Sequence, residues 1–209
     1  ELGALPEEWK IVPLKEVAEI NRASLKKRNA PEQINYVTIG SVSQGQIEEI
    51  ETIPYEEAPS RARRIVRHGD IIWTKVRPNL KSYALILDPV PNMIVSTGFA
   101  VITPGQAPYT YLYQALTEES FVDYLTKLAT GAAYPAVRVK DFKDAKILLP
   151  SHDVLETFDD IVSDFYAQEQ ILRDKNRVLC FARDLLLPRL VSGELIVGHL
   201  PMDVTSPES

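Results

Sequence analysis

The sequence holds one cysteine, Cys180, so it can build neither a disulfide framework nor a cysteine metal cluster within one chain. Its three histidines, His68, His152 and His199, stand far apart, without the HExxH-type spacing of a helical metal site. No apolar run approaches the roughly 18 residues of a membrane span, and the opening residues lack the basic-then-apolar pattern of a secretory leader. GxxxxGK[ST], GxGxxG and GxSxG are all missing, which removes the usual sequence support for phosphate-loop, dinucleotide and nucleophile-elbow chemistry. A methyltransferase's glycine-rich cofactor loop and Asn/Asp-Pro-Pro-aromatic segment are missing too; Asp88-Pro89-Val90-Pro91 is not one. Asp141, Asp144 and Lys146 match a metal-nuclease pattern only loosely and read better as a solvated turn. These absences point to a reducing, cytoplasmic, metal-free protein that is not itself an enzyme and carries no cofactor.

What is present is unevenly distributed. Residues 1–150 hold 18 basic and 18 acidic side chains, whereas residues 151–209 hold 5 and 11 and so carry the whole net charge of −6. Twelve of the 15 prolines and 7 of the 9 glycines also lie in the first 150 residues. Between Ser151 and Leu187 there is neither, and nothing there interrupts a helix. The composition therefore divides the chain at about residue 150.

The second segment reads as a helix over 154–187, on the order of 50 Å long at ~1.5 Å per residue. Phe158, Phe165, Leu172, Leu179 and Leu186 recur every seven residues, flanked in the second half by Ile171, Val178 and Leu185. The row three positions on (Ile161, Gln168, Lys175, Ala182) is interrupted twice by polar residues. One unbroken row over four heptads describes an imperfect coiled-coil seam meeting another helix. The plainer alternative is a helix lying across its own domain, which one this long would outrun.

Residues 1–150 read as α+β. Short apolar or β-branched runs at 36–39, 70–76, 83–87, 93–95, 99–102 and 147–149 predict strands of a mixed, twisted sheet. Helices are expected at 14–20, 109–116 and 118–129, the last with Thr117 as N-cap and Gly131 just past its end. Three segments without an acid concentrate positive charge: Arg22, Lys26, Lys27 and Arg28; then Arg61, Arg63, Arg64 and Arg67; then Lys75, Arg77 and Lys81. Eleven of the 18 basic residues sit there, and such clusters suit DNA phosphates and guanine edges. The bland alternative is solvated surface balanced by Glu48, Glu49, Glu51, Glu56 and Glu57.

Four segments resemble the type I restriction–modification specificity subunit family. They are Pro59-Ser-Arg-Ala-Arg-Arg-Ile-Val-Arg-His-Gly-Asp-Ile-Ile-Trp-Thr-Lys-Val-Arg-Pro78, Ala129-Thr-Gly-Ala-Ala-Tyr-Pro-Ala-Val137 continuing to Pro150, Leu187-Pro-Arg-Leu-Val-Ser-Gly-Glu-Leu195, and the opening Leu5-Pro-Glu-Glu-Trp9 with Leu14. They occur in the family's order and cover nearly the whole chain. The resemblance implies a target recognition domain at 1–150, a spacer and dimerisation helix with its tail at 151–198, and a flexible end at 199–209. Family members carry two domains and two helices, so one of each looks like a half-subunit or a piece of a longer protein.

The resemblance further implies double-stranded DNA, methyltransferase subunits and a restriction translocase as partners, with S-adenosylmethionine, ATP and magnesium belonging to those partners. A second copy, paired antiparallel through the helix, would put two recognition domains at opposite ends of a bipartite palindrome. Arg61, Arg63, Arg64, Arg77, Asn79 and Lys81 are the leading DNA contacts, with Lys26, Lys27, Arg28, Lys75 and Tyr134 beside them. Gly69 and Asp70 read as a turn before a strand, Trp73 as core, and Thr130-Gly131 as a helix end. The competing classes are a coiled-coil scaffold without sequence-specific DNA binding and an active nuclease.

Overall fold

A computed structural model describes residue 6 and residues 8–195. Leu5 and Glu7 of the opening segment and the tail from 196, including the end at 199–209, lie outside the described residues.

The chain opens with β1 (Lys10–Pro13), a single helical turn α1 (Leu14–Val17) and β2 (Ala18–Ile20). Next come β3 (Gln33–Val37), a hairpin of β4 (Val42–Ser43) and β5 (Gln46–Ile47), β6 (Glu51–Pro54) and β7 (Ala62–Ile65). β8 (Ile71–Thr74), β9 (Tyr83–Leu85), β10 (Met93–Ser96) and β11 (Phe99–Pro104) follow. The helices α2 (Tyr109–Thr117), α3 (Glu119–Leu128) and α4 (Val139–Asp144) lead to β12 (Lys146–Leu149) and the long α5 (His152–Val191). The α+β domain and the long C-terminal helix are as the sequence predicts. The strands divide, however, into two four-stranded sheets, β6-β3-β10-β7 and β2-β11-β8-β9, with β1-β12 as a separate pair. Among the described strands, only β10 and β3 pair in parallel.

Alternation along the strands assigns each face. Ile34 and Tyr36 of β3 and Ile94 of β10 join Leu25 and Ala62 on the outer face of the first sheet. Val37, Met93 and Val95, pointing the other way, meet Ile72, Ala84, Phe99 and Val101 between the two sheets. The opposite faces of β8 and β11 place Ile71, Trp73, Ala100 and Ile102 against Leu112, Leu116, Phe121, Leu125 and Phe142 of the helices. Because both faces of these strands are buried, they appear in the sequence as continuous apolar runs. Trp73 is core, as its surroundings predict, and its indole N–H donates to Leu116 O at 2.9 Å.

Four local expectations change. The helix from Leu14 stops at Val17, because residues 18–20 extend to pair with β11, Ile20 facing Ile102. Thr117 does not cap α3; its hydroxyl donates back to Tyr113 O at 2.8 Å and closes α2. Strand β7, residues Ala-Arg-Arg-Ile, is strand sequence concealed within a basic cluster. Finally, α5 begins at His152 and runs through Pro188, whose missing N–H removes one bond a single turn from the end.

Two compact units divide at 163/164 rather than at 150/151. Leu155 belongs to the helix-side core of the first unit, and Phe158 packs edge-on against Tyr111 with ring centroids 5.9 Å apart. Asp159 accepts the Thr110 hydroxyl at 2.5 Å. The first turns of α5 are therefore part of the first unit. No described helix is long and apolar enough to cross a membrane.

Gly69, at φ 81°, turns the chain into β8 and sets the buried Asp70 between the Thr103 hydroxyl (2.7 Å) and the Arg67 N–H (2.9 Å). Burial raises the Asp70 pKa from its ordinary 3.8, outweighing those hydrogen bonds. A carboxyl raised on folding stabilises the fold most below its unfolded pKa, and that contribution is lost as pH rises through the folded value. Asp70→Asn should therefore gain stability relative to the parent as pH is raised above about 4, read as urea midpoints across pH 3.5–7. A midpoint difference that is flat with pH, or that grows in the parent's favour, would contradict this account.

Candidate nucleic-acid interface

The three basic segments lie far apart in sequence, and backbone hydrogen bonds join them. Leu25 N–H donates to Arg63 O (2.7 Å) and Ile65 N–H to Ala23 O (3.4 Å), fastening the 22–28 loop along β7. Buried Leu25 anchors that loop in the outer core. The second and third segments meet across the link between β10 and β11, where Thr97 N–H donates to Arg61 O (2.8 Å) and Lys75 N–H to Gly98 O (2.8 Å).

The side chains then separate by environment. Lys26, Lys27, Arg28 and Arg61 are exposed, and among the described residues no carboxylate pairs with them. Arg63 stacks over Tyr55, 5.6 Å from its ring centre, and Arg64 donates to Ser24 Oγ at 2.8 Å. Arg67 turns inward toward Asp70, 3.9 Å away. Burial pulls the pKa of Arg64 down, and burial followed by the nearby Arg64 charge does the same to Lys75.

Lys81 differs from the sequence expectation. Its ammonium pairs with Glu119 of α3, whose hydrogen bond is the first cause of its raised pKa. The group that reads as a free cation in the sequence is thus committed inside the domain. Asn79 is exposed on the short turn Pro78–Leu80.

Arg77 and Tyr134 form one unit. Arg77 adopts the left-handed conformation (φ 50°), a position costing about 1–3 kcal/mol for a non-glycine residue. Its N–H donates to Pro135 O (2.7 Å), its Nη2 to Ala133 O (3.1 Å), and its guanidinium lies 4.8 Å from the Tyr134 ring centre. Thr130 and Ala136 exchange two backbone bonds (3.0 and 2.9 Å), and Val137 N–H donates to Lys75 O (2.8 Å). Gly131, at φ 114°, closes the loop so tightly that a Cβ would stand 3.0 Å from Tyr134 O. The result is a loop tied by backbone and side-chain hydrogen bonds, with Tyr134 71% exposed and backed by a cation.

Sequence reasoning passed over Ser24, the partner of Arg64, and the β4–β5 hairpin, where Gln44 and Gln46 are exposed beside Tyr83. Two-residue strands leave too little periodicity to read. The loose nuclease pattern resolves into structure: Asp141 accepts the Arg138 N–H (2.7 Å) at the start of α4, and Asp144 pairs with Lys15 (3.4 Å). Of the heptad row, Phe165, Leu172, Leu179 and Leu186 are exposed, and Phe158 is the member packed on Tyr111.

The domain so built is of the DNA-specificity class. The model of the type I restriction modification DNA specificity domain matches residues 6–179, and the chain belongs to that family. It is 22% identical over 209 residues to the MjaVIII specificity subunit of Methanocaldococcus jannaschii, covering 96% of this chain and 49% of that one. It is 21% identical over 139 residues to the HindI specificity subunit of Haemophilus influenzae, covering 65% and 30%. The HsdS subunit from Thermoanaerobacter tengcongensis superposes with a TM-score of 0.65 at 29% identity, over 97% of this chain and 53% of that one. A structure solved for complex assembly and conformational transition of the type I R-M system gives 0.67 at 28% identity, over 95% and 52%. The chain thus spans about half the length of its fuller matches.

Arg77→Ala removes the Nη2 bond and a guanidinium–ring stack of about 0.5–1 kcal/mol. Amide hydrogen exchange over 131–136 should quicken by roughly 5- to 30-fold, a loss of about 1–2 kcal/mol. Arg77→Lys should not restore protection, since an ammonium cannot stack flat and reach Ala133 O together. Unchanged exchange in both variants would show that the backbone bonds alone hold the loop.

Proposed function

We propose that this chain supplies DNA sequence specificity to a type I restriction–modification system, reading a half-site mainly through the major groove. The observation that carries the reading is the joining of residues 22–28, 61–64 and 75–77 around Thr97-Gly98, beside the exposed Tyr134. Phosphate contacts from such a surface would set register on the duplex, and side chains on the rigid loops would read base edges. Methyl transfer, ATP-driven translocation and cleavage would belong to methyltransferase and restriction subunits in the same compartment, with their S-adenosylmethionine, ATP and magnesium.

The exposed row Phe165, Leu172, Leu179 and Leu186, widened by Ile171, Val178 and Leu185, supports pairing with an antiparallel second copy. Four such side chains per chain contribute on the order of 10–20 kcal/mol per pair when buried, against an association cost of roughly 4–15 kcal/mol. Two inverted domains would read a bipartite palindrome. The same helices would present surface to methyltransferase subunits.

Reconstitution tests this directly. With methyltransferase subunits and S-adenosylmethionine, the chain should direct methylation to one bipartite target; alone it should neither methylate nor cut. Assembly with those subunits but without sequence preference would favour a scaffold, and magnesium-dependent cleavage by the pure chain would favour a nuclease. The double substitution Leu172→Asp with Leu179→Asp should yield monomers by sedimentation at micromolar concentration and abolish bipartite methylation, leaving the recognition domain folded. A dimeric double variant, or a monomeric parent, defeats the pairing.

A further inference from the structure

Arg64 and Lys75 are two half-buried cations, Arg64 paired with the end of β10 and Lys75 with the link that follows it. Arg64 lies opposite Val95 in the β7–β10 register, while the Lys75 N–H is bonded to Gly98 O, three residues further along. Arg64 is held rather than free: its Nη1 donates to Ser24 Oγ at 2.8 Å, and its Nε is buried without a hydrogen-bond partner. The Ser24 hydroxyl accepts that bond and keeps its own proton to give.

Charge is unbalanced there. The Arg64 charge acts on Lys75, and burial disfavours the charged form of both. Among the described residues no carboxylate pairs with either one. Like charges withdrawn from water repel more strongly than exposed ones, and a buried unpaired donor adds its own cost. Two half-buried cations held without a counter-charge favour the binding of an anion. Guanidinium, ammonium and hydroxyl together present donors, which suits a ligand with several acceptor oxygens.

We propose that Arg64, Lys75 and Ser24 form a preformed site for one tetrahedral oxyanion, filled by a backbone phosphate when duplex DNA is bound. The proposal rests on the reading that this domain binds duplex DNA, and it assigns these residues to anchoring rather than to base reading. Duplex DNA offers one phosphate charge per ~1.7 Å, so the anion is always at hand, whatever the sequence. The site sets the register in which Tyr134 and the neighbouring loops meet the bases.

The test uses the full chain and its Lys75→Met variant, with unfolding midpoints confirming that the variant folds. Affinity for a random-sequence duplex and for the preferred site is measured against salt concentration. Loss of one phosphate contact lowers the slope of log affinity against log salt by about one. Both duplexes should weaken by the same factor, leaving the selectivity ratio unchanged. In parallel, lysine acylation read by mass spectrometry at pH 8 should modify Lys75 readily in the free chain and be blocked by the random duplex. An unchanged slope with a reduced selectivity ratio would make Lys75 a base contact and overturn the proposal. An unchanged slope without protection would also overturn it. Protection by inorganic phosphate but not by duplex would assign the site to a free phosphate and reject the DNA source. Failure of the parent chain to bind any duplex would sink the functional reading itself.

Discussion

The passage from one sheet to the other takes two residues, Thr97 and Gly98, and the interface is organised around that passage. β10 ends at Ser96 in the first sheet and β11 begins at Phe99 in the second. A link so short fixes how the sheet edges meet, and three of its four backbone groups are already used: Gly98 N–H on Ser96 Oγ, Thr97 N–H on Arg61 O, and Gly98 O on the Lys75 N–H. Gly98 cannot be replaced freely, since a Cβ there would stand 2.2 Å from Ile39 Cδ1. Buried Ile72, Val95 and Phe99 hold the link from beneath. Arg67 and Lys81 have acids beside them, and repulsion among the other collected cations is resisted by that packing.

Much of the fold is legible in the sequence because its central strands have two buried faces. Ile71 to Thr74 and Phe99 to Ile102 read as apolar runs, and the proline- and glycine-free stretch from Ser151 reads as the long helix. What stays hidden depends on partners distant in sequence. Ala18–Ile20 looks helical until β11 is beside it, and Ala62–Ile65 looks like a charge cluster until β10 pairs with it. The division of the strands into two sheets is likewise announced by no local pattern.

The site was legible as composition and not as contact. Three basic segments are visible by counting; their union is not, because the bonds joining them cross 23 or more residues. Charge counting also misplaces Lys81, whose partner Glu119 stands 38 positions away on a different element. The family resemblance picks out both Arg77 and Tyr134, yet the stack between them is a fact of geometry alone. The course of that loop is set by a left-handed arginine and a glycine at φ 114°, neither of which is a charge signal.

The same counting explains why the two parts can share one chain without competing. The first 150 residues are neutral in sum, so their positive surface exists because acids are excluded from three segments and some are paired elsewhere, as Asp144 is with Lys15 and Asp141 with Arg138. Residues 151–209 carry 11 acids against 5 bases. On α5 much of that charge is spent within the helix, Glu169 on Arg173 and Asp174 on Arg177, pairs worth little individually at an exposed surface. The excess of acid makes the helix a poor surface for phosphate, while its apolar row remains available to another helix. On the proposed reading, electrostatics would confine nucleic acid to the domain, and the exposed apolar row would serve a protein partner.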